Sequence, residues 1–181
     1  MERLFAPWRI EWVTRERPED EVDGCVFCEL PGWDDARDAR VVAASDRAYV
    51  VLNNYPYNPG HTMVVPRAHG GDFTALDDET LLEHARLQQL TFAALEATLA
   101  PDGFNTGLNL GPGAGGSIDD HLHTHVVPRW VGDTNFMPIV GDTKVVVEDL
   151  DRTYDALYDA FGSFEEATTG GAAEPVHLDV G

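Results

Sequence analysis

Lysine is nearly missing from this sequence. Lys144 is the only lysine among twelve basic residues, which face thirty-two acidic ones for a net charge of -20. So acidic a surface excludes nonspecific nucleic-acid binding, which needs a basic patch to neutralise phosphates. The acid is spread along the chain rather than gathered in one block, so it reads as a halophilic surface kept hydrated by carboxylates. At about 1 M salt the Debye length is ~3 Å, and self-repulsion would be screened. Cysteine is scarce as well. Cys25 and Cys28 are too few for a disulfide framework, and their Cys-x-x-Cys spacing leaves half a metal site, a redox motif or coincidence open. No apolar run approaches the ~20 residues that span a bilayer, which excludes a membrane helix. Residues 1–16 lack the apolar stretch and cleavage site of a signal peptide, so a cytoplasmic location is expected.

What is present is strand and helix signal in alternation. Ala48 to Asn53 is short, apolar and β-branched, and predicts a buried strand. Residues 54–60 hold two prolines and a closing glycine, which marks a turn. His61 to Pro66 is the next strand, antiparallel to the first. Asp78 to Leu99 predicts the main helix, with Asp77 or Asp78 as cap and Leu81, Ala85, Phe92, Leu95 and Leu99 as its stripe. Leu82, Leu90 and Ala94 widen that stripe, which suggests a subunit contact. Further strands are expected over Phe104–Leu110 and His121–Val127, the last stopped by Pro128. Leu150, Tyr154, Leu157 and Phe161 mark a second helix ending at Gly162. The reading is α+β, with an antiparallel sheet of about five strands and two main helices. Residues 1–147 form the catalytic domain, 148–165 a helix packed on it, and 166–181 a flexible tail, since that stretch is small, acidic and Gly/Ala-rich. His84 and His177 read as surface histidines.

The chemistry concentrates in Asp120-His-Leu-His-Thr-His-Val-Val-Pro128. Alternate side chains of a strand share a face, so His121, His123 and His125 point the same way, roughly 6.7 Å apart between neighbours. Three imidazoles on one face would suppress one another's protonation and need partners, which makes them costly as filler. They suit either a hydrolytic metal site or a nucleophile with support. The loop before them carries Gly111, Gly113, Gly115 and Gly116, whose backbone N–H groups can approach an anion.

His121-Leu-His-Thr-His-Val-Val127 resembles the signature of the histidine-triad superfamily. Asn53 through His69 resembles its ribose-binding strand and hairpin. His125 to Trp130 followed by Gly132 to Pro138, with Ala6-Pro-Trp-Arg9, is similar to the branch containing diadenosine tetraphosphate phosphorylases and hydrolases. The resemblance implies a HIT-like fold, a homodimer through the long helix and a sheet edge, and cleavage of a dinucleoside polyphosphate at the α-phosphorus. His123 is then the nucleophile, His125 holds phosphate oxygens and His61 supports the site. Asn53 takes the ribose, while Asn109, Gly116 and Ser117 take phosphate or the leaving group. Adenine nucleotides are the favoured substrates, and no organic cofactor is implied. Some members bind zinc through two cysteines and two histidines, and Cys25, Cys28, His69 and His121 match those places as a structural site. Asp119 and Asp120 depart from the pattern by placing negative charge beside the anion loop. The alternatives are a phosphoramidate hydrolase of the same fold, a nucleotide binder without efficient turnover, and a metal-dependent hydrolase using the triad as ligands.

Overall fold

The computed structural model describes residues 24–116, 118–133 and 149–181. The opening aromatics, Ser117 and residues 134–148 lie outside these, and so does part of the expected catalytic domain.

Among the described residues, seven strands form one mixed sheet: β1 (Val41–Ala44), β2 (Ala48–Leu52), β3 (Thr62–Pro66), β4 (Gly103–Leu108), β5 (Thr124–Arg129), β6 (Ala167–Thr168) and β7 (Val176–Leu178). Their order is β4-β5-β3-β2-β1-β7-β6. All neighbours are antiparallel except β1 and β7, which run parallel. The helices are α1 (Val26–Glu29), α2 (Asp78–Leu99) and α3 (Leu150–Gly162).

β1, β2 and β3 are buried at every position, because both faces of the sheet are covered. On one face, Val50, Leu52, Val64 and Val126 pack with Leu87, Ala94 and Leu95 of α2 and with Leu157 and Phe161 of α3. On the other, Tyr49, Val51, Met63 and Val65 pack with Phe27 of α1 and with Ala36 and Ala39. Period-2 alternation sends consecutive residues into these two separate cores. Asp77 caps α2 by accepting from the Thr80 N–H, and Asp149 caps α3 by accepting from the Arg152 N–H.

Several expectations need correction. The sheet has seven strands because the presumed tail supplies two of them. Val176 and Leu178 are fully buried while His177 between them faces out, a strand alternation concealed in an acidic, Gly-rich composition. The α2 face that packs on the sheet runs through Thr80, Glu83, His84, Leu87, Thr91, Ala94 and Leu95, whereas Leu81 and Leu82 are exposed. His84 is therefore a core residue. Its Nε2–H reaches the Val64 carbonyl at 3.2 Å and Thr124 Oγ1 at 3.1 Å, so it ties α2 to two strands at once. β5 begins at Thr124, which leaves His121 and His123 in the segment before it, and it runs through Pro128 to Arg129. Pro128 is tolerated because it lies past Val126, the last β5 residue paired to Thr62 of β3.

Candidate active site and metal cluster

Three of the five candidate site histidines, His61, His123 and His125, meet on the α1 side of the sheet. Met63 pairs across to His125, and His61 stands two residues before Met63, so both imidazoles take the same face. His61 Nε2 and His125 Nδ1 are 2.9 Å apart. The rings of His123 and His125 meet edge to face at 5.0 Å.

Backbone groups decide which nitrogen carries each proton. The Tyr57 N–H donates to His61 Nδ1 at 3.1 Å, and Asn53 Nδ2 lies 3.3 Å from the same nitrogen. Asn53 Oδ1 already accepts from the Tyr55 N–H at 2.9 Å, so its amide nitrogen is the end that donates. His61 Nδ1 is thus an acceptor, Nε2 carries the proton, and it donates to His125 Nδ1. With Nδ1 accepting, neutral His125 carries its proton on Nε2; Asn109 Nδ2 stands 3.4 Å from that nitrogen, so the Asn109 amide accepts the proton only with its oxygen turned to that side. His123 Nδ1 lies 2.9 Å from the His121 carbonyl. A carbonyl only accepts, so His123 holds its proton on Nδ1 and keeps a lone pair on Nε2. Burial depresses the pKa of His123, and burial followed by the charge of His123 pushes His125 down to about 4. Both are neutral at pH 7. A neutral imidazole with a free Nε2 beside an Nε2–H donor can attack an electrophile and steady the charge that develops.

The glycine loop shapes the far wall. Gly111 and Gly115 adopt positive φ, 75° and 84°, where a side chain would be strained. A Cβ on Gly116 would stand 3.2 Å from Asn109 Cβ, a tight contact that would push on Asn109 by a few tenths of an ångström beside His125. An open groove of about 490 Å³ runs from His125 past Val127 to Arg129, between β4, the loop and Tyr57. Tyr57 lies over the His61 ring at 4.6 Å and stacks on His125 at 5.9 Å. At the distal end Arg129 forks onto Asp133, at 2.6 and 2.8 Å, and donates to Asn105 Oδ1 at 2.6 Å. Arg129 first, then the Trp130 N–H and Asn58, hold the Asp133 carboxyl well below the ordinary carboxylate range. Tyr57, Asn58 and Asp133 were not singled out from the sequence. The four-residue spacing of Tyr57 from His61, across a Pro-Gly turn, was the signal available.

The remaining candidates gather behind this site. One ligand atom each from Cys25, Cys28, His69 and His121 lie within 4.8 Å of one another, an arrangement that can hold a metal ion. His121 Nδ1 is 3.2 Å from Cys25 Sγ and 3.5 Å from Cys28 Sγ, and His69 Nδ1 is 3.4 Å from Cys28 Sγ. His121 Nε2–H donates to the Pro66 carbonyl at 2.7 Å, which turns the Nδ1 lone pair towards the thiols. Burial, then Cys25 alongside, pushes the Cys28 thiol up to about 11; a cation is what allows two thiolates to sit together. Asp120 is exposed, and its charge favours the protonated forms of Cys28 and His121.

A model of the HIT domain matches residues 35–131, more than half of the chain. The chain belongs to the HIT family. The AP-4-A phosphorylase of Mycobacterium tuberculosis is 43% identical over 161 residues, covering 84% of this chain and 80% of the relative. Two solved HIT-family structures share the fold. A zinc-bound histidine triad family protein from Mycobacterium smegmatis superposes with a TM-score of 0.61 at 26% identity, over 76% of this chain and 92% of its own. A histidine triad nucleotide-binding protein from Sulfolobus tokodaii gives 0.58 at 28%, over 75% and 88%. Family and relatives support a nucleotide-processing enzyme of the HIT family. No helix among the described residues is long and apolar enough to cross a membrane.

Proposed function

We propose that this HIT-family enzyme cleaves dinucleoside polyphosphates at the α-phosphorus, with inorganic phosphate as the acceptor. The observation that carries this reading is the bond from His123 Nδ1–H to the His121 carbonyl, which leaves Nε2 as the nucleophile. Nε2 attacks the α-phosphorus, the bond to the bridging oxygen breaks, and the nucleoside polyphosphate departs with the bonding pair. His125, its Nε2–H oriented through His61 by the Tyr57 N–H, steadies charge on the phosphoryl oxygens. Phosphate then attacks the nucleotidyl-imidazole and restores His123. Diadenosine tetraphosphate and phosphate would thus give ATP and ADP, and the 43% identical relative carries the name AP-4-A phosphorylase. Asn53, beside His61, would meet the ribose. Asn109 and Gly116, with Ser117 outside the described residues, meet the phosphates.

The four-residue cluster fits zinc. Zinc–sulfur and zinc–nitrogen bonds near 2.3 and 2.0 Å put neighbouring ligand atoms of a tetrahedron about 3.5 Å apart, close to the separations found here. Bound there, zinc supplies a structural cross-link between the α1 segment, the hairpin and the triad segment, with no open coordination position. The same reading includes the catalytic domain over residues 1–147 and a homodimer through α2, where Leu81 and Leu82 stay exposed, and through β4, which ends the sheet.

The test is incubation of the full chain in high salt with diadenosine tetraphosphate, with and without phosphate. ATP plus ADP formed only with phosphate is the expected result, and His123→Asn should abolish it while nucleotide binding persists. AMP plus ATP without phosphate would replace phosphorolysis by hydrolysis. No turnover in folded protein would overturn the reading.

A further inference from the structure

We propose that Phe27 is a positioning residue for His123, and that the metal ligands flanking it set its place. This rests on the proposed reading, in which His123 is the nucleophile and the Cys/His cluster holds zinc.

Phe27 lies between Cys25 and Cys28 and is 4% exposed. Its ring centroid is 4.9 Å from that of His123, tilted by 41°, and 5.6 Å from that of His121, edge on. Behind it stand Val41, Tyr49, Val51, Met63 and Val65. The ring is therefore a plate between the second core and the imidazole.

Little within α1 itself holds that plate. The helix is four residues long, and its N-cap, Cys25, makes no side-chain cap bond. A single turn does not persist on its own, because nucleation fixes several dihedrals for one hydrogen bond. Three outside ties remain. The Tyr49 hydroxyl donates to the Phe27 carbonyl at 2.6 Å, and the two thiols on either side face His121 and His69. The hydrogen bond that orients His123 runs from its Nδ1–H to the carbonyl of His121, and His121 is itself a cluster ligand. Both the face and the Nδ1 of the nucleophile are thus referenced to residues that the metal would bind together. Asn53, Asn109 and the glycine loop belong to other segments, so substrate affinity does not pass through this linkage.

The experiment uses the full chain, metal-loaded, in high salt, as wild type, Phe27→Leu and Phe27→Ala. It reads the ¹⁵N NMR tautomer signature of His123, metal content, thermal unfolding, and kcat and KM for diadenosine tetraphosphate with phosphate. Wild type should show a single Nδ1–H tautomer. Phe27→Leu, which keeps most of the volume, should mix the tautomers and lower kcat about tenfold with KM within about twofold, the mark of lost positioning rather than lost binding. Phe27→Ala should lower kcat about 10²-fold, the scale of a displacement near 1 Å. Chelating the metal from wild type should reproduce the mixed tautomers. A Phe27→Leu enzyme with unchanged kcat and one tautomer would overturn the proposal. So would a kcat that falls only in proportion to folded or metal-loaded protein. A folded, metal-free wild type that keeps one tautomer would overturn the metal's part in it. If wild type cleaves no dinucleotide, the functional reading fails, and the NMR comparison still decides the role of Phe27.

Discussion

Lowering the pH from neutral to about 4.5 titrates histidines that the unfolded chain would protonate freely and that the folded chain keeps neutral. His125 illustrates the magnitude. Burial, then the charge of His123, takes it down to about 4, against about 6.5 for an unperturbed histidine. Between those values the unfolded state binds a proton that the folded state refuses, so stability falls as pH falls. At 1.36 kcal/mol per pKa unit, the loss over that window is on the order of 3 kcal/mol, and it levels off below about pH 4 once both states are protonated. Burial shifts His84 and His123 in the same direction, so the slope exceeds that of one group. The depressed carboxyls of Asp72, Asp77, Asp133 and Asp155 do not compete in this window. Their stabilisation is complete above the ordinary carboxylate value of about 3.9 and is lost only as pH drops below it. Protonating surface acids would relieve the repulsion of a chain carrying -20, an opposing effect that about 1 M salt suppresses. The assay is urea unfolding at fixed salt across that pH range, for wild type and His125→Gln. The variant should lose about 1.4 kcal/mol per pH unit of slope. A flat wild-type profile, or equal slopes for the two proteins, would refute the desolvated histidine.

Two further outcomes follow from single contacts. His61→Leu removes the acceptor for the Tyr57 N–H and the donor to His125 Nδ1, so kcat should fall about 10²-fold and stability by about 1–3 kcal/mol; turnover kinetics with thermal unfolding check this, and an unchanged kcat would remove His61 from the proton arrangement. Thr62 Oγ1 is the buried side-chain polar atom left without a hydrogen bond among the described residues, and Thr62→Val should stabilise the protein by about 1 kcal/mol in urea titrations.

Much of the site was legible because it is local. The alternation of His121, His123 and His125, the Cys-x-x-Cys spacing and the apolar runs at 48–52 and 62–66 are patterns among near neighbours, and period-2 geometry converts them directly into faces. Where the reading failed, the deciding partner was distant. His84, in the middle of the helix, read as a surface histidine; the sheet beneath α2 buries it. Residues 166–181 looked like a tail because composition says nothing of β1, which supplies the partner that makes Val176 and Leu178 worth burying. The exposed Leu81 and Leu82 show the converse, apolar residues whose helical position turns them away from the sheet.

By itself, the sequence determined that three imidazoles would alternate along one short apolar segment, that two thiols would stand three residues apart, and that glycine would let backbone N–H groups approach an anion. Only the tertiary structure decided what those groups are chemically. The proton on His61 is placed by the Tyr57 N–H and the one on His123 by the His121 carbonyl; His123 and His125 are neutral because the assembled fold removes water from them. The thiols become a ligand set only where the hairpin and the triad segment deliver His69 and His121. Spacing is a property of the chain, whereas desolvation and hydrogen-bond partners exist only once remote segments have packed.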